Sequence, residues 1–195
     1  IMTAGSLSVT QTTLARLDEA ASDTEATGDT SILLAPTMLQ VAQIIGRTLS
    51  QTSQEVASRM SGSKSSASAS MIVAGQRKGG DQRMFLIYPE GNFIEATSDT
   101  PYLQIGEHKY GKPILDRVVT PETTLQDAKK AVLLSMDSTI RSNLSVGMPL
   151  DLTVIEKDSY RVTQSRRIEA DDEVFAEMSR SWSVALKDAF QGIEI

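Results

Sequence analysis

The hydrophobic period of the chain switches repeatedly between helical and extended spacing, and this alternation restricts the fold more than any other feature. Apolar residues recur every three or four positions in some segments and every two in others, which predicts helices and strands respectively. The predicted helices span residues 6–21, 37–59, 109–119, 124–141 and 171–190. The predicted strands span residues 69–74, 84–88, 93–96, 102–105, 150–156 and 160–165, with an extended entry before the first helix.

Short turns join consecutive strands, so the strands are expected to pair antiparallel. Residues 78–81 (KGGD) and 89–92 (PEGN) have the composition of tight turns. Helices come in pairs between the strand blocks, so a helix pair can cover one face of each sheet. The other apolar face of each sheet remains uncovered, and the two uncovered faces can pack on each other. The sequence therefore predicts an α+β fold, a four-layer αββα sandwich of two antiparallel sheets between helix layers. We expect one domain over residues 1–195, with residues 60–66 as a connector.

Composition excludes several classes of site. The chain has no cysteine and a single histidine, His108, which rules out disulfides, thiolate metal sites and any site that needs two imidazoles. No metal and no cofactor are expected. The net charge of −6 argues against nucleic acid as a partner. The apolar runs are short, so no membrane segment is expected, and we predict a cytoplasmic protein.

Turns beside the predicted helices carry the candidate functional residues. Gly5 and Ser6 open the first helix, where unpaired N–H groups can hold an oxyanion or where Ser6 simply caps the helix. Glu107 and His108 can form an acid–base dyad or a polar helix start. At residues 142–147 the hydroxyl groups either orient a substrate or bind local backbone at a helix end.

Taken together, three segments resemble proteasome β-type subunits. They are residues 2–8 (MTAGSLS), residues 102–116 (YLQIGEHKYGKPILD) and residues 138–147 (STIRSNLSVG), the last resembling the signature Thr-x-Arg-Asp-x-x-Ser-Gly. The similarity covers nearly the whole chain and is closer to the bacterial homologues called Anbu, for ancestral β subunit. The resemblance implies an N-terminal nucleophile hydrolase fold, which agrees with the predicted element order.

The resemblance also implies roles for particular residues. Gly5 matches the glycine whose N–H stabilises the developing oxyanion, and Ser145 matches the serine near the nucleophile's amino group. Ser142 stands where proteasome subunits carry an aspartate, and Glu107 where they carry a serine. The substrate side chain would be read by the start of the first helix and the strand before it. The implied contact residues are Thr3, Ser6, Leu7 and Ser8.

The resemblance implies a catalytic N-terminal threonine or serine, but the sequence opens with Ile1-Met2. We therefore expect that the early strands, which would also carry an aspartate and a lysine, precede it. The expected function is a threonine-type amide or peptide hydrolase in a homo-oligomer of like subunits. The alternative is a non-catalytic assembly or scaffold protein on the same fold. An ATP-dependent partner, if used, would be a separate chain, because no nucleotide motif is present.

Overall fold

The computed structural model describes residues 1–60 and 67–194, so most of the predicted connector at 60–66 lies outside the described residues. The elements are β1 (Met2–Gly5), α1 (Leu7–Ser22), α2 (Met38–Arg59), β2 (Ala69–Gln76), β3 (Gln82–Ile87), β4 (Phe93–Glu95), α3 (Lys112–Val118), α4 (Leu125–Ser142), β5 (Leu150–Val154), β6 (Gln164–Ile168) and α5 (Glu173–Gln191). The helices and two antiparallel sheets confirm the predicted α+β class. The chain forms two compact units, Ile1–Gly106 with Glu156–Arg161 (unit 1) and Glu107–Ile155 with Val162–Ile195 (unit 2).

Unit 1 consists of the four-stranded sheet β1-β2-β3-β4 and the helices α1 and α2. The predicted hairpin is confirmed, with Gln76 opposite Gln82 at its turn. Helix α2 begins one residue after Thr37, whose side chain accepts a hydrogen bond from the N–H of Gln40. Its apolar face packs against one face of the hairpin in a continuous core that includes Met71 and Val73 of β2 and the fully buried Phe85 of β3.

A close backbone approach locks α2 to the turn between β3 and β4. A Cβ added to Gly46 would collide with the carbonyl oxygen of Gly91, and one added to Gly91 would lie 2.7 Å from the carbonyl oxygen of Gly46. Gly91 also has a φ of +89°, which residues with a side chain rarely adopt. Both positions therefore require glycine.

Unit 2 consists of α3, α4, α5 and the two-stranded sheet β5-β6. Its buried apolar residues are Leu115, Ala131, Leu150, Val154 and Ile168. Helix α5 carries the predicted apolar repeat of period four, but Val174, Leu186 and Phe190 are 66%, 49% and 78% exposed. Met178 and Trp182, which lie between them in the repeat, are half-buried, so the apolar pattern of α5 marks a face that is buried only in part.

Some predicted boundaries were wrong. Residues 102–105 form no strand. A strand requires ladder hydrogen bonds to a neighbouring strand, and an alternating pattern of apolar and polar residues does not by itself supply them. The strand predicted at 160–165 begins at Gln164 instead, since Asp158 and Tyr160 adopt positive φ values of 62° and 52° and lengthen the turn. The helix predicted from residue 109 begins at Lys112, with Pro113 in its first turn, where a missing N–H costs nothing.

Within the described residues, no helix combines the length and the apolar character that crossing a membrane requires.

Candidate functional site

In unit 1 the candidate residues gather at the junction of β1 and α1. Gly5 ends the strand with a φ of +108°, and a Cβ there would lie 2.5 Å from the carbonyl oxygen of Ser68. The N–H of Ser6 donates to that same carbonyl oxygen at 2.9 Å. Backbone conformation and the neighbouring chain therefore both demand glycine at position 5.

The N-terminus of α1 has neither a side-chain cap nor an acidic residue to offset its unpaired N–H groups and the positive end of the helix dipole. Ser6 occupies the N-cap position, but its side chain makes no capping hydrogen bond, and the first turn contains no acidic residue. Instead the Oγ atoms of Ser6 and Ser8 lie 3.2 Å apart. The prediction that Ser6 could cap the helix is therefore wrong for its side chain, and the positive end of the helix dipole stays uncompensated by any residue of that turn.

The remaining candidate contact residues lie on the surface of unit 1. Thr3 pairs with Met71 in the β1–β2 ladder and is exposed. Leu7 is 67% exposed although it falls in the helical repeat, because the buried side of α1 is formed by residues such as Val9 and Leu17. Among the described residues β1 is an outer strand of its sheet. Thr3 on β1 and Leu7 and Ser8 at the start of α1 are thus all exposed in this chain.

The turn before α3 carries the next candidate. Gly106 has a φ of +75°, and a Cβ there would lie 3.6 Å from the Cβ of Ala4 on β1. Glu107 follows directly and is exposed. In unit 2 this turn is fixed by Gly111, where an added Cβ would collide with the side chain of Ser135 and lie 2.7 Å from its carbonyl oxygen.

Ser142 and Ser145 lie at the end of α4 in unit 2. Ser142 is the last residue of the helix and is exposed. Ser145 belongs to the following turn. The backbone N–H of Ser145 donates to Oδ1 of Asn143 at 2.9 Å, and the Oγ of Ser145 donates to the same atom at 2.7 Å. The main-chain N–H of Asn143 in turn donates to the carbonyl of Thr139 at 2.9 Å. The Ser145 hydroxyl therefore has a defined orientation.

Arg141, which forms an ion pair within α4, connects this end of the helix to α5 by a hydrogen bond. Arg141 contacts both carboxylate oxygens of Asp137, at 3.3 and 3.2 Å, and donates from Nη2 to Oγ of Ser179 at 2.6 Å. The Asp137 side chain is 6% exposed and that of Arg141 56% exposed. Because a buried carboxylate needs a partner, this contact fixes the helix turn that leads to Ser142 and Ser145.

Hydrogen bonds to charged groups displace several carboxyl pKa values. The pKa of the α5 N-cap Asp172 is lowered chiefly by the hydrogen bond from the N–H of Phe175, at 2.8 Å. In four further cases a cationic side chain is the main cause of a lowered pKa: Glu55 with Arg16, Glu95 with Arg83, Asp127 with Lys130, and Glu177 with Arg180. Two of these pairs lie on helices that carry candidate residues, since Arg16–Glu55 joins α1 to α2 and Asp127–Lys130 lies in the first turns of α4.

Sequence reasoning missed three residues at the end of α4 and one on α5. Asn143 was detectable, because asparagine just after a helix and two residues before a serine is typical of an Asx turn. Asp137 and Arg141 have the i, i+4 spacing of an ion pair. Ser179 had no local signal, since it is 38 positions away from Arg141. In the described part of the chain, no cluster of three or more acidic or histidine side chains is placed to hold a metal ion.

Comparisons with known proteins agree with this architecture. A sequence profile described as proteasome subunit matches residues 1–155. The chain is similar to the solved structure of Anbu from Hyphomicrobium sp. strain MC1, with 47% identity and a TM-score of 0.88 over 100% of this chain and 79% of that one. Anbu from Yersinia bercovieri is 39% identical, with a TM-score of 0.90 over 100% of this chain and 79% of that one. The helical assembly of the Anbu complex from Pseudomonas aeruginosa is 40% identical, with a TM-score of 0.91 over 100% of this chain and 78% of that one. A search of curated protein sequences gave no match.

Proposed function

The chain belongs to the proteasome subunit family, and within it to the Anbu group. On this premise we propose that the protein is a threonine-type amide or peptide hydrolase that works in a self-assembled oligomer. The single observation that supports this most is the junction of β1 and α1. There an obligatory glycine adjoins a helix start that has neither a side-chain cap nor an acidic residue in its first turn. Such a helix end favours a negative charge.

In the proposed mechanism an N-terminal threonine of the full-length protein attacks the scissile carbonyl, and its own α-amino group takes the hydroxyl proton. Negative charge then develops on the carbonyl oxygen. The N–H of Gly5 stabilises this oxyanion. Breakdown of the tetrahedral intermediate returns the proton to the leaving amine and gives an acyl-enzyme, which water hydrolyses.

Ser145 acts beside the α-amino group in this proposal, and Ser142 and Glu107 supply further polar contacts in place of the aspartate and serine of proteasome subunits. Thr3, Ser6, Leu7 and Ser8 contact the substrate. Thr3, Leu7 and Ser8 are exposed and Ser6 is half-buried, so the end of β1 and the start of α1 are accessible to a bound peptide.

Self-association is the second part of the proposal. The P. aeruginosa relative is described as a helical assembly of the Anbu complex. We propose that this chain also works in a homo-oligomer, in a single proteasome-like domain in the cytoplasm. An ATP-dependent partner would be a separate chain.

The test uses the full-length protein in its assembled state and a set of peptidyl aminocoumarin amides. We expect hydrolysis that disappears when the mature N-terminal residue is replaced by alanine. Ser145→Ala should lower kcat/KM about 100-fold, the range of one acid–base contact. Ser58→Ala on α2, an exposed serine that donates to the carbonyl of Glu55 at 2.8 Å, is the matched control and should match wild type.

Gly5→Pro is unsuitable for this test, although it removes the N–H. Proline fixes φ near −65°, whereas Gly5 has a φ of +108°, so the variant would disrupt the strand end as well. If the assembled full-length protein exposes an N-terminal threonine or serine and cleaves none of the amides, the hydrolase proposal is wrong. The scaffold alternative then explains the departures at Glu107 and Ser142.

A further inference from the structure

Asn143 controls the direction in which the Ser145 hydroxyl can form hydrogen bonds. Its Oδ1 atom accepts from both the backbone N and the Oγ of Ser145, at 2.9 and 2.7 Å. A backbone N–H can only donate, so the side-chain atom that faces it must be the amide oxygen and not the amide nitrogen. The orientation of the Asn143 amide is therefore fixed by chemistry.

A serine hydroxyl has one proton and two acceptor lone pairs. At Ser145 the proton is directed to Asn143, and only lone pairs remain for another partner. A group that binds Ser145 Oγ must then be a hydrogen-bond donor. An ammonium or amine N–H satisfies this requirement, whereas a carbonyl or carboxylate oxygen does not.

We propose that Asn143 is a positioning residue that holds Ser145 as an obligate hydrogen-bond acceptor for the α-amino group of the N-terminal nucleophile. This inference rests on the proposed function, which places Ser145 beside that amino group. It adds a residue to which the sequence resemblance assigned no role, and it specifies the direction of the hydrogen bond.

The contacts around Asn143 make the arrangement rigid. Its N–H is held by the carbonyl of Thr139 at 2.9 Å, and its own carbonyl accepts from the N–H of Val146 at 3.2 Å. The charged groups at this end of α4 are Asp137 and Arg141, which pair with each other and, through Arg141, with Ser179 of α5. The turn is thus preorganised by neighbours on two helices.

An acceptor beside the α-amino group stabilises its protonated form, so it raises the pKa of the amine and makes it a stronger base. If Asn143 is lost, the Ser145 hydroxyl can rotate and donate to the neutral amine, which lowers the amine pKa. Asn143 therefore affects the proton affinity of a group that it does not touch, an effect that stabilisation of the turn alone would not produce.

The experiment measures the α-amino pKa in the mature full-length assembly by competitive acetylation with acetic anhydride across a pH series, followed by mass spectrometry of the N-terminal peptide. Asn143→Ala should lower this pKa by about one unit, the equivalent of one hydrogen bond to a charged group. Asn143→Asp keeps the acceptor oxygen and should leave the pKa at or above the wild-type value. Leu144→Ala is the control, because the Leu144 side chain is fully exposed.

A second readout is peptide-amide hydrolysis as a function of pH. With Asn143→Ala we expect the acidic limb of kcat/KM to move to lower pH and kcat to fall about tenfold, with KM almost unchanged. If Asn143→Ala does not assemble, Ser145→Ala must lower the amine pKa while Asn143→Asp does not.

The outcomes separate this inference from the proposed function. Active Asn143→Ala protein whose amine pKa and pH profile match those of Leu144→Ala would overturn the inference and leave the hydrolase proposal standing. Wild-type protein that cleaves no amide, but whose amine pKa falls in Asn143→Ala, would overturn the hydrolase proposal and support the hydrogen-bond direction inferred here.

Discussion

Unit 1 and unit 2 support their candidate residues in different ways. The junction that carries Gly5 belongs to a unit with a continuous apolar core, in which Ile45, Met71 and Phe85 are almost completely buried. Among the described residues, unit 2 has fewer buried apolar side chains, and along its 19-residue helix α5 the only buried residue is Ser179. The turn that carries Ser145 is held instead by hydrogen bonds, and the helix turn before it contains an ion pair.

This difference has a functional consequence. A backbone position fixed by a packed core cannot move unless many contacts are lost together. A turn held by a few polar contacts can be altered by changing one side chain. Gly5 lies on the exposed strand β1 and is held by the ladder to β2, whose inner residues belong to that core, whereas the orientation of Ser145 depends on the single side chain of Asn143.

The largest effect that tests this comparison is the truncation of one phenylalanine in each unit. Phe85 is 1% exposed, packs edge-on against Phe93 at 5.6 Å and lies under Arg83, whereas Phe190 on α5 is 78% exposed. Phe85→Ala should lower the free energy of unfolding by about 3–5 kcal/mol, and Phe190→Ala should change it by less than about 0.5 kcal/mol. Urea unfolding of both variants measures the difference.

Equal losses in the two variants would show that the apolar side of α5 is packed in solution. The contrast between a core-supported unit and a unit supported by polar contacts would then not hold.

Periodicity predicted the elements of unit 1 well because most of its helices and strands bury a continuous face. It was less informative within α1, where the buried positions include Thr10 and Thr13. The Thr13 hydroxyl donates to the carbonyl of Val9 at 2.8 Å, so a polar residue can be buried at little cost. Hydropathy therefore predicts that Thr13 is exposed although it is buried, and that Leu7 is buried although it is exposed.

Contacts between distant parts of the chain limited the remaining predictions. The long turn before β6 is held by the side chain of Gln76, which binds Asp158 from 82 positions away. The cap of α4 was predictable, because Thr124 and Asp127 lie three residues apart and their hydrogen bond is local. In the candidate site, Gly5 and Asn143 carry local signals, whereas the contact between Arg141 and Ser179 depends on how two helices pack.

The next effect compares the two glycines at close approaches, one in each unit. Gly46→Ala and Gly111→Ala should each lower the free energy of unfolding by about 1–3 kcal/mol through overpacking. The loss should be larger at Gly46, because its nearest obstacle is the backbone carbonyl of Gly91, whereas Gly111 first meets the rotatable hydroxyl of Ser135. Gly80→Ala, whose nearest neighbour would be 3.5 Å away, is the control.

Calorimetric or urea unfolding of these three variants measures the effect. A value for Gly46→Ala as small as that for Gly80→Ala would contradict the close approach of α2 to the turn at Gly91.

The smallest expected effect concerns an ion pair in each unit as the pH falls. The guanidinium of Arg83 on β3 donates to both carboxylate oxygens of Glu95 on β4, each at 2.6 Å, and this lowers the pKa of Glu95. A lowered folded-state pKa stabilises the protein above the unfolded-state pKa of about 4.3, and this stabilisation is lost as the pH falls through the folded-state value. Both side chains are about one-third exposed, so solvent screening should keep the contribution below about 1 kcal/mol.

Urea midpoints measured between neutral and acidic pH distinguish the two units in this respect. Glu95→Gln should reduce the loss of stability on acidification, because one carboxyl with a lowered pKa has been removed. Glu177→Gln should follow the wild-type curve more closely, since the Glu177–Arg180 pair lies within α5, spans only three positions and is 66% and 65% exposed. If the two variants respond alike, the pair between β3 and β4 stabilises unit 1 no more than a surface pair stabilises α5, and the contrast between the units rests on the apolar core of unit 1 alone.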